Sequence, residues 1–148
     1  MLVPIIAQAV VSERLSASPI DDGSILEGDP VATAKLVAKS RDRLMWVSLW
    51  HCTPGTFDWR YAEDEVVYIL SGEVFLSSGG GAERRLGAGD VALFPAKSAC
   101  RWRVTQPLRK VAVLRKQVPR PLSLALRAWN KLLLALGPRR APASSLSG

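Results

Sequence analysis

Few side chains in this sequence can do chemistry, and their spacing says more than their number. There is one histidine, His51, and there are two cysteines, Cys52 and Cys100. The cysteines lack C-x-x-C spacing and suggest no disulfide framework. Cys100 has no histidine at a recognisable position to serve as its base, and a thiol in an apolar stretch is usually inert. Glu65 is a better candidate. It follows the alternating run Phe57-Asp-Trp59-Arg-Tyr61, and a carboxyl group desolvated among rings has its pKa raised and can act as a general acid or base. In extended chain Trp59 and Tyr61 project to one face, as do Cys100, Trp102 and Val104, while Arg101 and Arg103 between them face solvent.

Strands must carry these residues. Leu44 to His51 is rich in β formers and runs into the turn Thr53-Pro54-Gly55; Phe57 to Tyr61 alternates aromatic and polar side chains. Val66 to Leu70, the turn Ser71-Gly72 and Glu73 to Ser77 read as a hairpin. Gly79-Gly80-Gly81 is a loop, and Gly89-Asp90 turns the chain into Val91 to Phe94. Cys100 to Val104 and Val111 to Leu114 bring the total to about eight or nine short strands with no helical pattern between them, the signature of a sandwich or barrel.

The flanks differ from this centre. Residues 1–30 read as a loosely patterned N-terminal arm and 31–117 as the strand-rich domain. After Pro119 and Pro121 the period changes to helical, with Leu122, Leu126, Trp129, Leu133 and Leu136 on one face. Gly137-Pro138 stops that helix, and a basic tail follows to Gly148, so that 118–148 is a basic helix-and-tail segment. Residues 1–90 hold 8 Lys/Arg and all 13 Asp/Glu, whereas 91–148 hold 12 Lys/Arg and no acidic side chain. A basic amphipathic helix over 122–136 docks on its own barrel or a partner subunit, or lies on anionic lipid. No nucleic-acid motif accompanies it, so no nucleic-acid partner is expected. The apolar start, Met1 to Val11, lacks a basic leader and contains Pro4, and no run reaches the roughly 18 apolar residues of a spanning helix; the expected location is cytoplasmic.

Two ordered segments carry a family resemblance. They read Gly55-x3-Trp59-x-Tyr61-x3-Glu65-x6-Gly72 and Gly89-Asp90-x4-Pro95-x-Lys97-x2-Cys100-x3-Val104. Both resemble the paired motifs of the cupin superfamily, G-x5-H-x-H-x3,4-E-x6-G and G-x5-P-x-G-x2-H-x3-N. Trp50-x-Cys-Thr-Pro-Gly-Thr-Phe, Asp64-Glu65, Tyr68-Ile-Leu-x-Gly-Glu73, Phe94-Pro95-Ala96, Trp102 and Arg109-Lys110 are similar to the cupin domain named for ureidoglycine aminohydrolase. The resemblance implies an all-β protein, a double-stranded β-helix or jelly-roll barrel with a pocket between its sheets, often a homodimer. To that barrel this chain adds its N-terminal arm and C-terminal amphipathic helix.

Position by position, the resemblance also says what is missing. The two histidines of the first motif correspond to Trp59 and Tyr61, and that of the second to Cys100; Glu65 is kept, and Lys97 replaces the second-motif glycine. One carboxylate and one thiol fall short of the three or four ligands of a stable site, so no metal and no other cofactor is expected. A site of Glu65, Cys100 and His51 would need His51 to point inward. The implied pocket is lined by Phe57, Trp59, Tyr61, Glu65, Cys100 and Trp102, with Trp46 or Trp50 nearby. It suits a small cationic or amphipathic metabolite held by stacking and cation–π contact. The same rings also make an ordinary packed core, with Glu65 bonded to Tyr61 or to backbone. Arg109-Lys110 reads as a solvated turn pair. The functional expectation is a metal-free cupin that binds a small molecule and is not an enzyme. Its alternative is an enzyme of the ureidoglycine aminohydrolase or sugar-acid isomerase kind, with Glu65 as acid–base.

Overall fold

Two long strands organise the sheet. The computed structural model describes residues 14–136, which fall into two compact units divided between Gln117 and Val118. In the first unit nine strands join in one curled antiparallel sheet. They are β1 (Ser16–Ala17), β2 (Ile25–Glu27), β3 (Ala32–Lys39), β4 (Met45–Cys52), β5 (Gly55–Arg60), β6 (Asp64–Ser77), β7 (Arg84–Gly87), β8 (Val91–Phe94) and β9 (Ala99–Arg115). β6 pairs with β9 from end to end, from Asp64 opposite Arg115 to Ser77 opposite Arg101.

Each long strand serves two stretches of sheet. The first half of β9 has β5 on its other side and the second half has β4. Likewise β8 lies along the start of β6 and β7 along its end. The order is therefore β3-β4-β9-β6-β8 at one level and β2-β5-β9-β6-β7 at the other, and the bends between levels curl the sheet around a shared interior. That interior holds Trp50, Phe57, Tyr61, Val67, Ile69, Val74, Phe94, Trp102, Leu108 and Ala112. Arg101 and Arg103 face outward, paired with Asp58 and Glu83.

The expected hairpin at Ser71-Gly72 is not a hairpin, and the expected strands on either side of Pro107 are one strand. At Gly72 the chain does adopt positive φ, +87°, but as part of an irregularity inside β6. The inward face of that strand passes there from odd residues (Glu65, Val67, Ile69) to even ones (Val74, Leu76). β9 spans Pro107 because 105–107 lie between its partners β4 and β5, where no neighbour on that side needs a backbone donor. Residues 14–30 of the expected arm add β1 and β2 to the sheet edges.

The second unit contributes helix α1, Arg120–Leu136. It starts before the expected Leu122 because Pro121 falls in the first turn, where a missing N–H leaves no bond unmade. Ser123 N–H closes that turn on the Pro119 carbonyl at 3.0 Å. Among the described residues no helix is long and apolar enough to cross a membrane. The Met1 to Val11 segment, the Gly137-Pro138 stop and the basic tail lie outside the described residues.

Candidate functional site

A cavity of about 170 Å³ opens within the curled sheet. Its walls come from Ser18, just after β1, and from five strands, of which β3 supplies Ala34. β4 supplies Trp46, Ser48 and Trp50 at alternate positions; β5 supplies Phe57 and Trp59; β6 supplies Glu65; and β9 supplies Trp102 and Lys110. Register accounts for the grouping. Phe57 is the cross-strand partner of Trp102, and Trp50 that of Lys110, so each pair projects to the same face of the sheet. The Phe57 and Trp102 rings stack at 6.3 Å and 10°, and Trp50 meets Phe57, Trp59 and Trp102 at tilted or edge-on angles, with centroids 6.0 to 6.5 Å apart. These are favourable geometries for aromatic quadrupoles.

The polar centre of the wall is an ion pair. Lys110 Nζ donates to Glu65 Oε1 at 2.7 Å, and the two side chains are 7% and 8% exposed. The ammonium also lies 4.6 Å from the Trp102 ring centroid and 4.9 Å from that of Trp50, within cation–π range. Burial pushes the Lys110 pKa below the usual lysine value, and the charge and hydrogen bond of Glu65 work against that shift.

Four of the six expected pocket residues (Phe57, Trp59, Glu65 and Trp102) line the cavity, and two do not. Tyr61 lies behind the wall, stacked on Phe94 at 4.5 Å, and its hydroxyl oxygen accepts the Trp102 indole N–H at 2.9 Å. Burial, and then the negative charge of Glu65, push its pKa up. Cys100 is buried opposite Trp59 but outside the lining, and burial raises its thiol pKa. Burial likewise pushes Cys52 up to about 12. Both thiols are therefore poor nucleophiles at neutral pH.

Lys110 is the residue that the reading of the sequence missed. It is not part of a solvated turn pair but a buried member of β9. The signal was present. Cys100, Trp102, Val104, Leu108, Lys110 and Ala112 are all buried, so the two-residue period passes over Pro107 without slipping.

The metal of cupin sites does not fit the residues present. The carboxylate that would ligate it already holds the Lys110 ammonium. His51 lies on the face of β4 opposite Ser48 and Trp50, by strand alternation. Among the described residues no three His, Cys, Asp or Glu side chains group as a metal site.

A curled antiparallel sheet with a cavity between its two levels, lined from the strands of both sequence motifs, is the architecture of a cupin. More narrowly, the chain belongs to the family of EutQ-like cupin domains, which matches residues 39–112. No curated protein matches the sequence. Among solved structures it is similar to a protein of unknown function from Pseudomonas syringae pv. tomato, with 20% identity over 70% of this chain and a TM-score of 0.64. The match spans 45% of that longer protein. It is also similar to the EutQ protein of Clostridium difficile, with 17% identity over 67% of this chain and 81% of the other, at a TM-score of 0.53. KdgF from Halomonas sp. gives 14% identity over 70% and 89%, at 0.52. At such identities these likenesses bear on the fold alone.

Proposed function

We propose that this chain is a non-catalytic cupin that closes as a jelly-roll barrel and binds a small molecule in the cavity beside Glu65 and Lys110, without a metal. One observation carries this reading. A cavity of about 170 Å³ lies among aromatic rings, and its wall bears a buried charged pair. An apolar cavity of roughly 150 Å³ holds a benzene-sized guest, so the space suits one flat ring or a metabolite of that bulk. Rings on several sides with a few placed polar groups are the usual make-up of such a site.

The test is binding followed by tryptophan fluorescence and melting temperature over a panel of small flat metabolites. Ala34→Phe places a ring in the cavity from β3. Compounds that raise the melting temperature of the parent should leave this variant unmoved. Equal binding by the variant would move the ligand elsewhere, and a panel without any binder would leave the cavity as a packing defect.

A second reading is favoured by the 2.7 Å contact itself, because a carboxylate and an ammonium on a cavity wall form a proton-exchanging couple. An enzyme of the ureidoglycine aminohydrolase or sugar-acid isomerase kind would use Glu65 there as acid–base. Glu65→Gln would then abolish turnover while the chain stays folded, and undiminished turnover would exclude this reading.

A further inference from the structure

The charged pair contains an imbalance of hydrogen-bonding capacity. An ammonium has three N–H donors and no acceptor. Among the described residues Glu65 is the one hydrogen-bond acceptor for Lys110. The other near neighbours of Nζ are the rings of Trp102 and Trp50, which offer π faces rather than lone pairs. Donors of a buried charged group left without an acceptor are costly, and Lys110 lines the cavity. The remaining donor capacity is best met by an oxygen inside that cavity.

Charge points the same way. Among the described residues Glu65 and Lys110 are the only ionisable groups in the lining, and their charges are opposite. The position over Trp50 and Trp102 where a cationic guest would gain most is already filled by the protein's own cation. A second cation would meet Lys110 at close range with no carboxylate left to balance it. Both points argue against the cationic metabolite suggested by the aromatic residues alone.

We infer that Lys110 is a built-in cation that selects the guest: the cavity takes small flat molecules bearing a carbonyl or carboxylate oxygen and rejects cations. The inference rests on the reading of the cavity as a ligand site. Three probes of one shape separate the possibilities, namely benzamide, benzoate and benzamidinium, titrated calorimetrically into the full-length chain. Benzamide and benzoate should bind at least about tenfold more tightly than benzamidinium, the scale of one hydrogen bond to a charged group. The comparison of benzamide with benzoate shows whether the guest's oxygen is neutral or anionic.

Lys110→Met leaves Glu65 without its cation and should reverse the order, with benzamidinium tightest. Because that variant buries an unpaired carboxylate and is destabilised, Glu65→Gln with Lys110→Met serves as the second arm; it removes both charges, and the preference should shrink to within about twofold. Benzamidinium binding the native chain as tightly as benzamide would overturn the inference, as would a preference that survives in the double variant. Failure of all three probes to bind the native chain would overturn the ligand-site reading as well, so the two failures are distinguishable.

Discussion

An ammonium taken out of water loses hydration worth several kcal/mol, and the interior must replace it. At Lys110 the replacement is a carboxylate at 2.7 Å and two indole faces within 5 Å. Breaking such a pair from one side leaves a buried charge uncompensated, whereas removing both charges does not. Lys110→Met alone should therefore lower the unfolding free energy by about 3–5 kcal/mol, and adding Glu65→Gln should recover most of that loss. Urea denaturation of the three chains gives the comparison; a double variant as unstable as the single one would mean that packing of the lysine stem, not its charge, is what matters. Lys97 presents the opposite case, a residue out of place. It occupies the position where the second cupin motif has glycine, and its φ is +67°, left-handed space that L side chains enter at a cost. Its N–H nonetheless donates to the Tyr61 carbonyl at 2.6 Å, which fixes the loop under the aromatic wall. Lys97→Gly relieves the backbone and keeps that bond, so a gain of about 0.5–1 kcal/mol is expected after the entropic cost of glycine. An unchanged or lower melting temperature would show that the loop carries no strain.

Strand continuity decides which residues reach the cavity. β6 can pass from one level of the sheet to the other only by changing its inward face, and Gly72 makes that change. A Cβ there would overlap the Pro107 carbonyl oxygen of the adjacent β9. Gly72→Ala should cost about 3 kcal/mol or more, since both the positive φ and the close backbone approach oppose it. A loss below 1 kcal/mol would mean that β6 and β9 can separate there without harm. The same strands mark the limit of what the sequence discloses. The short apolar runs and the spacing from Gly55 to Val104 suffice for the cupin architecture, and alternation suffices to put Phe57, Trp59 and Trp102 on inner faces. Ser71-Gly72 and Pro107 imitate turn punctuation, because a bulge and a turn ask for the same residues. The division at Pro107 then separated Lys110 from the run of inward residues that begins at Cys100. Alternation along β9 would have recovered the lysine; the contact with Glu65 would not have followed, since it depends on how β6 and β9 bend together.

Across the whole molecule, the interior holds several groups that titrate in the alkaline range, and they pull stability in opposite directions. Cys52 is fully buried at the end of β4, its thiol donating to the Thr53 carbonyl at 3.2 Å. Burial raises its pKa from 9.0 to about 12, a shift that the charge of Lys110 opposes. The folded chain thus keeps a proton that the unfolded chain gives up, so this stabilisation is complete below pH 9 and is lost as pH climbs towards 12. Tyr61, also raised, acts with the same sign above pH 10. Lys110, lowered, acts with the opposite sign: the unfolded chain holds its proton more tightly, and stability from this group rises with pH up to about 10.5. A plain pH profile would blend these three with Cys100, whose thiol is also raised by burial. The difference between the parent and Cys52→Ala removes the other three contributions, apart from the coupling of Cys52 to Lys110. Near neutral pH the variant should be less stable by about 1 kcal/mol, for the small volume it vacates. Between pH 9 and pH 11 that deficit should shrink by up to about 1.4 kcal/mol per pH unit and then change sign, so that the variant becomes the more stable chain. Urea denaturation at pH 8, 9, 10 and 11 measures it, and a deficit that stays constant over that range would show that the thiol ionises as readily in the folded protein as in the unfolded one.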